Sequence, residues 1–323
     1  MMPDFGDSEH GRWQPTDISP SRLKVWNLCP MKYKYHYVDR LRLPPNYKME
    51  QGSSVHSVFL EEYLQGGVDD IDALVALIGM DLEARIESSK AVDPSTGEYP
   101  TDSVLAQCIA DTEIWGKGLL EAAKNGVDPR GNKFEMPEVE RTEGEECIEL
   151  TLPRTGITIR LRGYVDLYFK DGAIGDLKLA SNYYKAVWSE GRAIGEEVQP
   201  AMYAKMTGSN TFRYLIVDKC INSRAPGRPA AAPTVRWIEI EITDRDMQIL
   251  MDNLEEFVIM SDIHNGHEDG IFTPRPKYAG ESKRTAGNSA LTFCDHFCDH
   301  KARCYKENFE RPPVKGIQLP LED

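Results

Sequence analysis

The sequence predicts an α/β (α+β) protein in which helices flank a β-sheet core. Helical patterns cover 70–88 and 102–125, and a long amphipathic pattern covers 243–263. Between them, alternating apolar and polar residues indicate strands at 147–152, 157–169, 173–180, 211–218 and 234–242. Because helical periodicity brackets a run of strands, we expect a central sheet with helices packed around it.

Composition limits the class of protein. The chain has 323 residues, of which 41% are hydrophobic and 28% charged, enough to bury a substantial core. No apolar run reaches the roughly eighteen residues of a membrane helix, and the N-terminus lacks a signal-peptide pattern. The net charge of −14 argues against wholesale wrapping of nucleic acid, although 20–48 is strongly basic. We therefore expect a cytoplasmic, intracellular protein that is not secreted and does not contact a membrane.

The N-terminal part begins without periodicity, so 1–18 is predicted to be a flexible arm. Ser19 and Pro20 then favour the start of a helix, as a cap and as a first-turn proline. A second helix near Gly52 carries His56. A lone histidine on such a helix is more often a core residue than a metal ligand. His56 becomes a candidate ligand only because of the other residues considered below.

Aromatic and basic residues alternate after the first helix, at Lys32, Tyr33 and Lys34. Tyrosine rings among lysines are suited to stacking on bases and contacting phosphates. The same pattern is equally typical of an amphipathic helix packed against a core. Both interpretations stay open from these residues alone.

The most informative stretch is the predicted hairpin at 159–180. In the first strand Asp166 lies on the polar face, and in the second Asp176 and Lys178 share a face because side chains alternate. Two carboxylates and a lysine on one face, backed by an apolar face, suggest a metal site built on the hairpin.

The length of the turn decides whether the two aspartates meet. A two-residue turn would send Asp166 and Asp176 to opposite faces. A three-residue loop at 171–173, or a single bulge, would pair Tyr168 with Asp176. Asp166 would then lie opposite Lys178, with the two aspartates diagonal neighbours roughly 7 Å apart at Cβ. We predict the odd loop or the bulge.

Three of the seven cysteines lie close together near the C-terminus, at Cys294, Cys298 and Cys304. Thiolates at this density usually hold zinc or an iron–sulfur cluster. A fourth ligand must come from elsewhere in the chain, or from His296 or His300.

Taken together, these features resemble the RecB-like, Cas4- and AddB-type branch of the PD-(D/E)XK nucleases, in the form that carries an iron–sulfur cluster. They occur in the family's order and span about 19–305. The matching pieces are Ser19-x-Ser21-x-Leu23 leading to Cys29-Pro30, Gly52-x-x-x-His56, Gly163-x-x-Asp166, Asp176-x-Lys178, Gln199-x-x-x-Tyr203 and the late triple cysteine.

The resemblance implies a restriction-endonuclease-like mixed sheet whose active site holds one or two Mg²⁺ or Mn²⁺ ions. The implied metal ligands are His56, Asp166, Asp176 and the backbone carbonyl of Leu177. The implied catalytic residues are Lys178, Asp176, Asp166, Gln199 and Tyr203, with Lys178 orienting or activating the attacking water. Tyr203 would also contact DNA, beside the candidate nucleic-acid contacts Lys32, Tyr33 and Lys34.

The resemblance also implies that Cys29 joins Cys294, Cys298 and Cys304 around a [4Fe–4S] cluster. Cys29 precedes Cys294 by 265 positions, so a cluster would tie the two ends of the chain together. The spacing of three and then five residues departs from the family, which more often has two before its last interval. Structural zinc held with His296 or His300 therefore stays an alternative.

The predicted domain organisation is a single nuclease domain at 19–310 followed by a C-terminal tail at 311–323. Within the domain we expect a helical insertion at 70–125, a sheet core with the active site at 145–242, and a metal-cluster segment at 290–305.

The function expected is that of a deoxyribonuclease of a bacterial or phage-like system, an exonuclease acting on single strands or DNA ends. A first alternative is an endonuclease or a processing subunit in repair, recombination or CRISPR adaptation, partnered by a helicase or an adaptation protein. A second is a nucleic-acid-binding scaffold that carries structural zinc and does not cleave.

Overall fold

A computed structural model describes residues 16–41, 44–93, 97–180, 198–219, 230–273, 300 and 303–304. The described residues form two compact units. The first contains the described residues up to Pro20 and between Pro44 and Glu255, with the sheet, and the second contains those between Ser21 and Leu43 and from Glu256 onward. The single nuclease domain at 19–310 stays a prediction, and the C-terminal tail at 311–323 lies outside the described residues.

The helices predicted at 70–88, 102–125 and 243–263 lie close to their observed positions, and the second helix begins at Pro30. In chain order they are α1 (Pro20–Leu28), α2 (Pro30–Tyr33), α3 (Tyr47–Ser57), α4 (Ile71–Ser89), α5 (Asp102–Asn125), α6 (Gln199–Thr207) and α7 (Asp244–Ser261). Two π-helical segments, Lys34–Val38 and Val58–Gln65, continue α2 and α3, and a short 3₁₀ turn covers Ile263–Asn265. Among the helices of these ranges, none combines the length and the hydropathy that a bilayer crossing requires.

The strands of the described chain form a mixed five-stranded sheet with helices around it, which confirms the predicted fold class. They are β1 (Val139–Thr151), β2 (Thr158–Phe169), β3 (Ile174–Ala180), β4 (Thr211–Asp218) and β5 (Val235–Glu241), in the spatial order β1-β2-β3-β4-β5. The β3–β4 pair is parallel and the other three pairs are antiparallel. A parallel pair requires a crossover, and α6 lies in the connection between these two strands.

The main core lies between one face of the sheet and the helices α3, α4 and α5. Alternate residues at the end of β2 and along β3 and β4 contribute to it, as alternation requires. Its strand members include Leu167, Leu177, Leu215 and Val217, and its helical members include Val55, Leu74, Ile78, Trp115 and Leu119. Since Leu177 faces this core, its neighbours Asp176 and Lys178 face the other side of the sheet.

β1 begins at Val139, eight residues before the predicted start at Cys147. The prediction missed the start of this strand because the glutamate-rich run does not alternate between apolar and polar residues. Glu145 lies 2.5 Å from the guanidinium of Arg162, and Glu146 accepts a hydrogen bond of 2.6 Å from the Tyr168 hydroxyl. Ion pairs and hydrogen bonds to β2, rather than burial of apolar side chains, therefore stabilise this part of β1.

The turn between β2 and β3 contains three residues, Lys170 to Gly172, one position earlier than predicted. Tyr168 pairs with Ile174, and the Phe169 amide donates to the Ala173 carbonyl over 2.9 Å. The odd loop length is thus confirmed, whereas the predicted pairing of Tyr168 with Asp176 is wrong by two residues. A shift of two preserves the faces, so Asp166 and Asp176 remain on the same side.

The first described residues are part of the fold rather than of a loose arm. Ile18 forms a parallel bridge with Leu161 of β2, and its amide donates to the Arg160 carbonyl over 2.9 Å. Asp17 is fully buried and accepts from the Arg160 guanidinium at 2.6 and 2.7 Å. Asp17 and Ile18, assigned to the predicted arm at 1–18, therefore belong to the fold, while 1–15 lies outside the described residues.

α6 packs against the sheet, and its closest approach to β2 is at Gly163. A Cβ atom on Gly163 would lie 2.8 Å from the Tyr203 ring and 3.3 Å from Pro20. Tyr203 is buried and stacks on Phe212 with 6.2 Å between ring centroids. Gly163 is needed here because the helix approaches the strand too closely for any side chain.

Replacing Gly163 by alanine should lower the free energy of unfolding by about 1–3 kcal/mol, since an extra methyl overpacks this contact. Urea unfolding measures the effect. Gly52 of α3 is the matched control, because nothing lies within 4 Å of its Cβ position and alanine favours helices. A Gly163→Ala protein as stable as Gly52→Ala would contradict this account.

The second compact unit is organised around aromatic rings. Trp26 and Tyr33 pack edge to face at a centroid distance of 5.6 Å. Both also contact Phe257, at 5.2 and 5.3 Å. Such offset and edge-to-face pairs are the favoured arrangement of buried aromatic side chains.

Candidate active site

The candidate site lies where β2 and β3 separate. The two strands pair only at Leu167–Gly175 and Tyr168–Ile174, next to the turn. Beyond these pairs the Asp166 carboxylate fills the gap, and its Oδ2 accepts a hydrogen bond of 2.9 Å from the Leu177 amide. A backbone donor of β3 is thus satisfied by a side chain instead of a β2 carbonyl. The predicted role of the Leu177 carbonyl as a metal ligand stays a prediction.

His56 reaches the same aspartate from α3. Its Nε2 lies 3.0 Å from Asp166 Oδ2. The helix changes from α to π geometry at Val58, two residues later, and π-helical turns occur frequently at functional sites. Burial alone would lower the pKa of His56, but its hydrogen bond and charge contact with Asp166, helped by Asp176 and Glu143, raise it above the usual value.

Asp176 and Lys178 form the second half of the site. Lys178 Nζ lies 2.5 Å from Asp176 Oδ2, and the Gln199 side-chain amide donates to Asp176 Oδ1 over 2.5 Å. Asp176 is 3% exposed, whereas the Lys178 side chain is 30% exposed. The lysine ammonium therefore lies between a buried carboxylate and solvent.

The two aspartates are in different electrostatic states. Burial and the negative charge of Asp166 raise the pKa of Asp176 to about 6, although Lys178 and His56 act in the opposite direction. For Asp166, burial would also raise the pKa, but the His56 hydrogen bond, the charges of His56 and Lys178 and the Leu177 amide lower it below the usual value. Asp166 is therefore held ionised, whereas Asp176 keeps a raised affinity for a proton. The positive charges of His56 and Lys178 thus neutralise the two aspartates only in part.

Tyr203 lies one helical turn beyond Gln199 on α6, so the two residues share a helix face. Its pKa is raised, first by burial and then by the negative charges of Asp176 and Asp166. The phenol therefore stays protonated. The structure brings Tyr203 and Gln199 to the carboxylate side of the sheet.

Glu143 is a residue of this region that sequence reasoning missed. Its Oε1 lies 3.9 Å from His56 Nδ1, on the opposite edge of the imidazole from Asp166. Burial raises its pKa, with Glu61 and Asp166 adding to the rise and His56 opposing it. The acidic run is visible in the sequence. Which of its glutamates lies beside the histidine can be decided only when the strand is known to begin at Val139.

The donor set suits a hard divalent cation. Within the described ranges, no three histidine, cysteine or carboxylate side chains are already gathered closely enough to hold a metal. The reason is that Asp166 is turned toward His56 and the Leu177 amide, and Asp176 toward Lys178 and Gln199. Asp176 Oδ2 is nevertheless buried and accepts no hydrogen bond of regular geometry, its contact being the ion pair with Lys178. Carboxylate oxygens in this condition fit Mg²⁺ or Mn²⁺, and an added imidazole favours Mn²⁺.

The predicted nucleic-acid contacts differ in accessibility. Tyr33 is fully buried in the aromatic cluster of the second unit, so its ring is a core residue and not a stacking surface in this structure. Lys34 is ion-paired with Asp39 at 2.7 Å, and Lys32 is half-buried. The apolar neighbours Trp26 and Phe257 explain why the amphipathic-helix interpretation holds for Tyr33.

Two of the four predicted cluster cysteines are described, and both belong to the second unit. Cys29 is buried beside Tyr35, and Cys304 packs against the same small apolar cluster. The ring of His300 lies 5.3 Å from that of Tyr35, and the Cys304 amide donates to the His300 carbonyl over 2.9 Å. Cys294, Cys298 and His296 lie outside the described residues.

A mixed sheet that brings a D-x-K strand and a second aspartate together is the architecture of a metal-dependent nuclease. Residues 17–305 match the PD-(D/E)XK nuclease superfamily, so the protein belongs to that superfamily and is a nuclease, a hydrolase of nucleic acid. Nucleases of this superfamily typically use Mg²⁺ or Mn²⁺.

Two further comparisons add little. A solved structure titled "Crystal structure of SSO0001" is 12% identical and covers 78% of this chain and 79% of its own, with a TM-score of 0.34, too low to carry an argument. None of the curated proteins compared with the sequence matches it significantly.

Proposed function

We propose that the protein is a metal-dependent deoxyribonuclease of the RecB-like branch that acts as an exonuclease on single strands or DNA ends. The observation that carries the proposal is the convergence of His56, Asp166, Asp176 and Lys178 where β2 and β3 separate. The catalytic and metal-binding assignments of these residues are part of the proposal. A strongly acidic chain of net charge −14 also favours engagement of a short DNA segment over wrapping of a long one.

The proposed ion is held by His56, Asp166 and Asp176 with the Leu177 carbonyl. When bound, Mg²⁺ or Mn²⁺ neutralises charge at the scissile phosphate and makes hydroxide available near neutral pH. The Leu177 amide and His56 hold Asp166 in place, while Gln199 fixes the orientation of Asp176. The ammonium of Lys178, partly open to solvent, is suited to hold the attacking water and to offset the developing negative charge.

The proposal is tested by digestion assays with purified protein and Mn²⁺. Substrates are end-labelled linear single and double strands, closed circles of both kinds, and a linear RNA. We expect release of short products from linear DNA, with circles left intact. Cleavage of circles would make the protein an endonuclease, and cleavage of RNA alone would remove the DNA assignment. If no substrate is cut, the non-cleaving scaffold replaces the nuclease.

We further propose that Cys29, Cys294, Cys298 and Cys304 hold a [4Fe–4S] cluster that fastens the chain ends together. The packing of Cys29 and Cys304 against one apolar cluster around Tyr35 supports this, because the two cysteines are 275 positions apart in sequence. Clusters of the [4Fe–4S] type are commonly bound by four cysteine thiolates.

Anaerobically purified protein should be brown, with broad absorption near about 400 nm and about four irons per chain. Cys29→Ser should lose the colour and melt at a lower temperature. Cys108→Ser is the control, because Cys108 is buried in a different apolar cluster, between α4 and α5. One zinc per chain in a colourless protein would favour the alternative in which His296 or His300 is a ligand.

A further inference from the structure

Glu143 has an unusual backbone conformation in the middle of β1. Its φ is +52°, in the left-handed region that residues other than glycine rarely occupy. Its neighbours nevertheless keep their places in the β1–β2 ladder, with Thr142 opposite Leu167 and Gly144 opposite Val165. Such strain within a paired strand persists only where the surroundings impose it, and it is concentrated at functional sites.

The strained residue is anchored beside the site. The Gln65 side-chain amide, at the end of the π-helical segment that follows α3, donates to the Thr142 hydroxyl. This bond connects the π-helical continuation of α3, the helix that carries His56, to the strand that carries Glu143. The two side chains are therefore held on elements that are directly tied to each other.

The imidazole of His56 lies between two carboxylates. Nε2 is 3.0 Å from Asp166 Oδ2, and Nδ1 is 3.9 Å from Glu143 Oε1. A histidine can offer only one nitrogen to a metal, and the other nitrogen then carries the ring proton. Histidines that bind metals almost always donate this second N–H to a carboxylate, a carbonyl or a water.

We propose that Glu143 is a positioning residue that accepts the Nδ1–H of His56 and so directs Nε2 toward the metal. The inference rests on the proposed function, because it concerns the same metal ligand. The distance of 3.9 Å exceeds a direct hydrogen bond, and a small rotation of the imidazole or one bridging water closes it. The left-handed backbone and the approach of a carboxylate to the imidazole occur at the same residue, as expected where strain is concentrated at a functional site.

The test is a double-mutant cycle on Mn²⁺ affinity, measured by titration calorimetry on metal-free protein. Glu143→Gln should weaken Mn²⁺ binding by about 10–100-fold. In a His56→Ala background the same change should cost less than about twofold, because the residue through which Glu143 acts is gone. Glu140→Gln, which removes the charge of another exposed glutamate on the same strand, should bind Mn²⁺ as wild type does.

A second variant separates a positioning role from misfolding. Glycine adopts a positive φ without strain, so Glu143→Gly should melt no lower than wild type in the presence of chelator. It should nevertheless show the same loss of Mn²⁺ affinity as Glu143→Gln. A Glu143→Gly protein with wild-type Mn²⁺ affinity would overturn the proposal.

The remaining outcomes are distinguishable. Wild-type affinity in Glu143→Gln, or an equal loss with and without His56, overturns the inference, the second result making Glu143 a direct ligand. If wild type itself binds no Mn²⁺, the proposed function fails and this inference fails with it. If wild type binds Mn²⁺ and cleaves DNA while Glu143→Gln is unaffected, only the inference fails.

Discussion

An Asp176→Asn protein should lose cleavage on the order of a thousandfold or more and yet be at least as stable as wild type without metal. Asparagine keeps the oxygen that accepts from Gln199 but removes the charge that the cation requires. In wild type this charge is buried beside Asp166, which raises the pKa of Asp176 from 3.8 to about 6. The metal-free site therefore carries an unfavourable charge that the substitution eliminates.

The stability gain should depend on pH. Between about 3.8 and about 6, the folded protein binds a proton at Asp176 that the unfolded chain has released. The contribution of Asp176 to the free energy of unfolding therefore falls as pH rises through this window, and its full cost is present above about pH 6. The advantage of Asp176→Asn should appear at pH 8 and vanish near pH 4.

Two measurements check this prediction. Digestion of end-labelled DNA with Mn²⁺ gives the loss of activity, and thermal melting with chelator at both pH values gives the stability. Glu149→Gln, an exposed charge removal on β1, is the matched control and should change neither. Cleavage activity within tenfold of wild type would contradict the role of Asp176 in binding the cation. A melting temperature below that of wild type at pH 8 would contradict the unfavourable charge assigned to it.

A Lys178→Gln protein should lose cleavage to a similar extent while retaining metal. The lysine ammonium lies 2.5 Å from Asp176 Oδ2, where it partly neutralises the carboxylate that is proposed to bind the cation. Without the competing positive charge, Mn²⁺ should bind as tightly as in wild type or a few times more tightly. The loss should appear in kcat with little change in KM, because the ammonium is required where negative charge develops in the transition state.

Lys170→Gln is the matched control for Lys178→Gln. Lys170 lies in the turn of the same hairpin, and its contact is an exposed ion pair with Glu138 at 2.9 Å. Exposed pairs contribute little to stability, so this variant should resemble wild type in activity and in Mn²⁺ binding. Loss of Mn²⁺ affinity together with activity in Lys178→Gln would instead make the lysine a support for Asp176 and remove its assignment to the chemistry.

Much of the site was predictable because local patterns carry it. Alternation along β2 and β3 assigns Asp166, Asp176 and Lys178 to one face for any odd turn, and the structure has such a turn. The helical spacing of Gln199 and Tyr203 likewise predicts that both face the same way. These inferences survive an error of two residues in register, because the side-chain period of a strand is two.

Other features were not predictable from local pattern. β1 was shortened in the prediction because its partners are arginine and tyrosine rather than apolar residues. Tyr33 looked available to nucleic acid because its burial depends on Phe257, which is more than two hundred positions away. Ile18 was assigned to an arm because its partner, Leu161, is far away in the sequence. That part of β2 has an unpaired edge because β3 pairs with β2 only next to the turn, which no local pattern shows.

By itself the sequence determined the order of helices and strands, the sheet with its flanking helices, and the faces of the candidate ligands. These features depend on the periodicity of apolar and polar residues, which can be read within each segment by itself. Only the tertiary structure decided that Asp166 bonds the Leu177 amide, that His56 lies between Asp166 and Glu143, and that Asp176 is buried beside a like charge. Those contacts arise between segments far apart in the chain, where distance and burial set the energies and no local pattern records them.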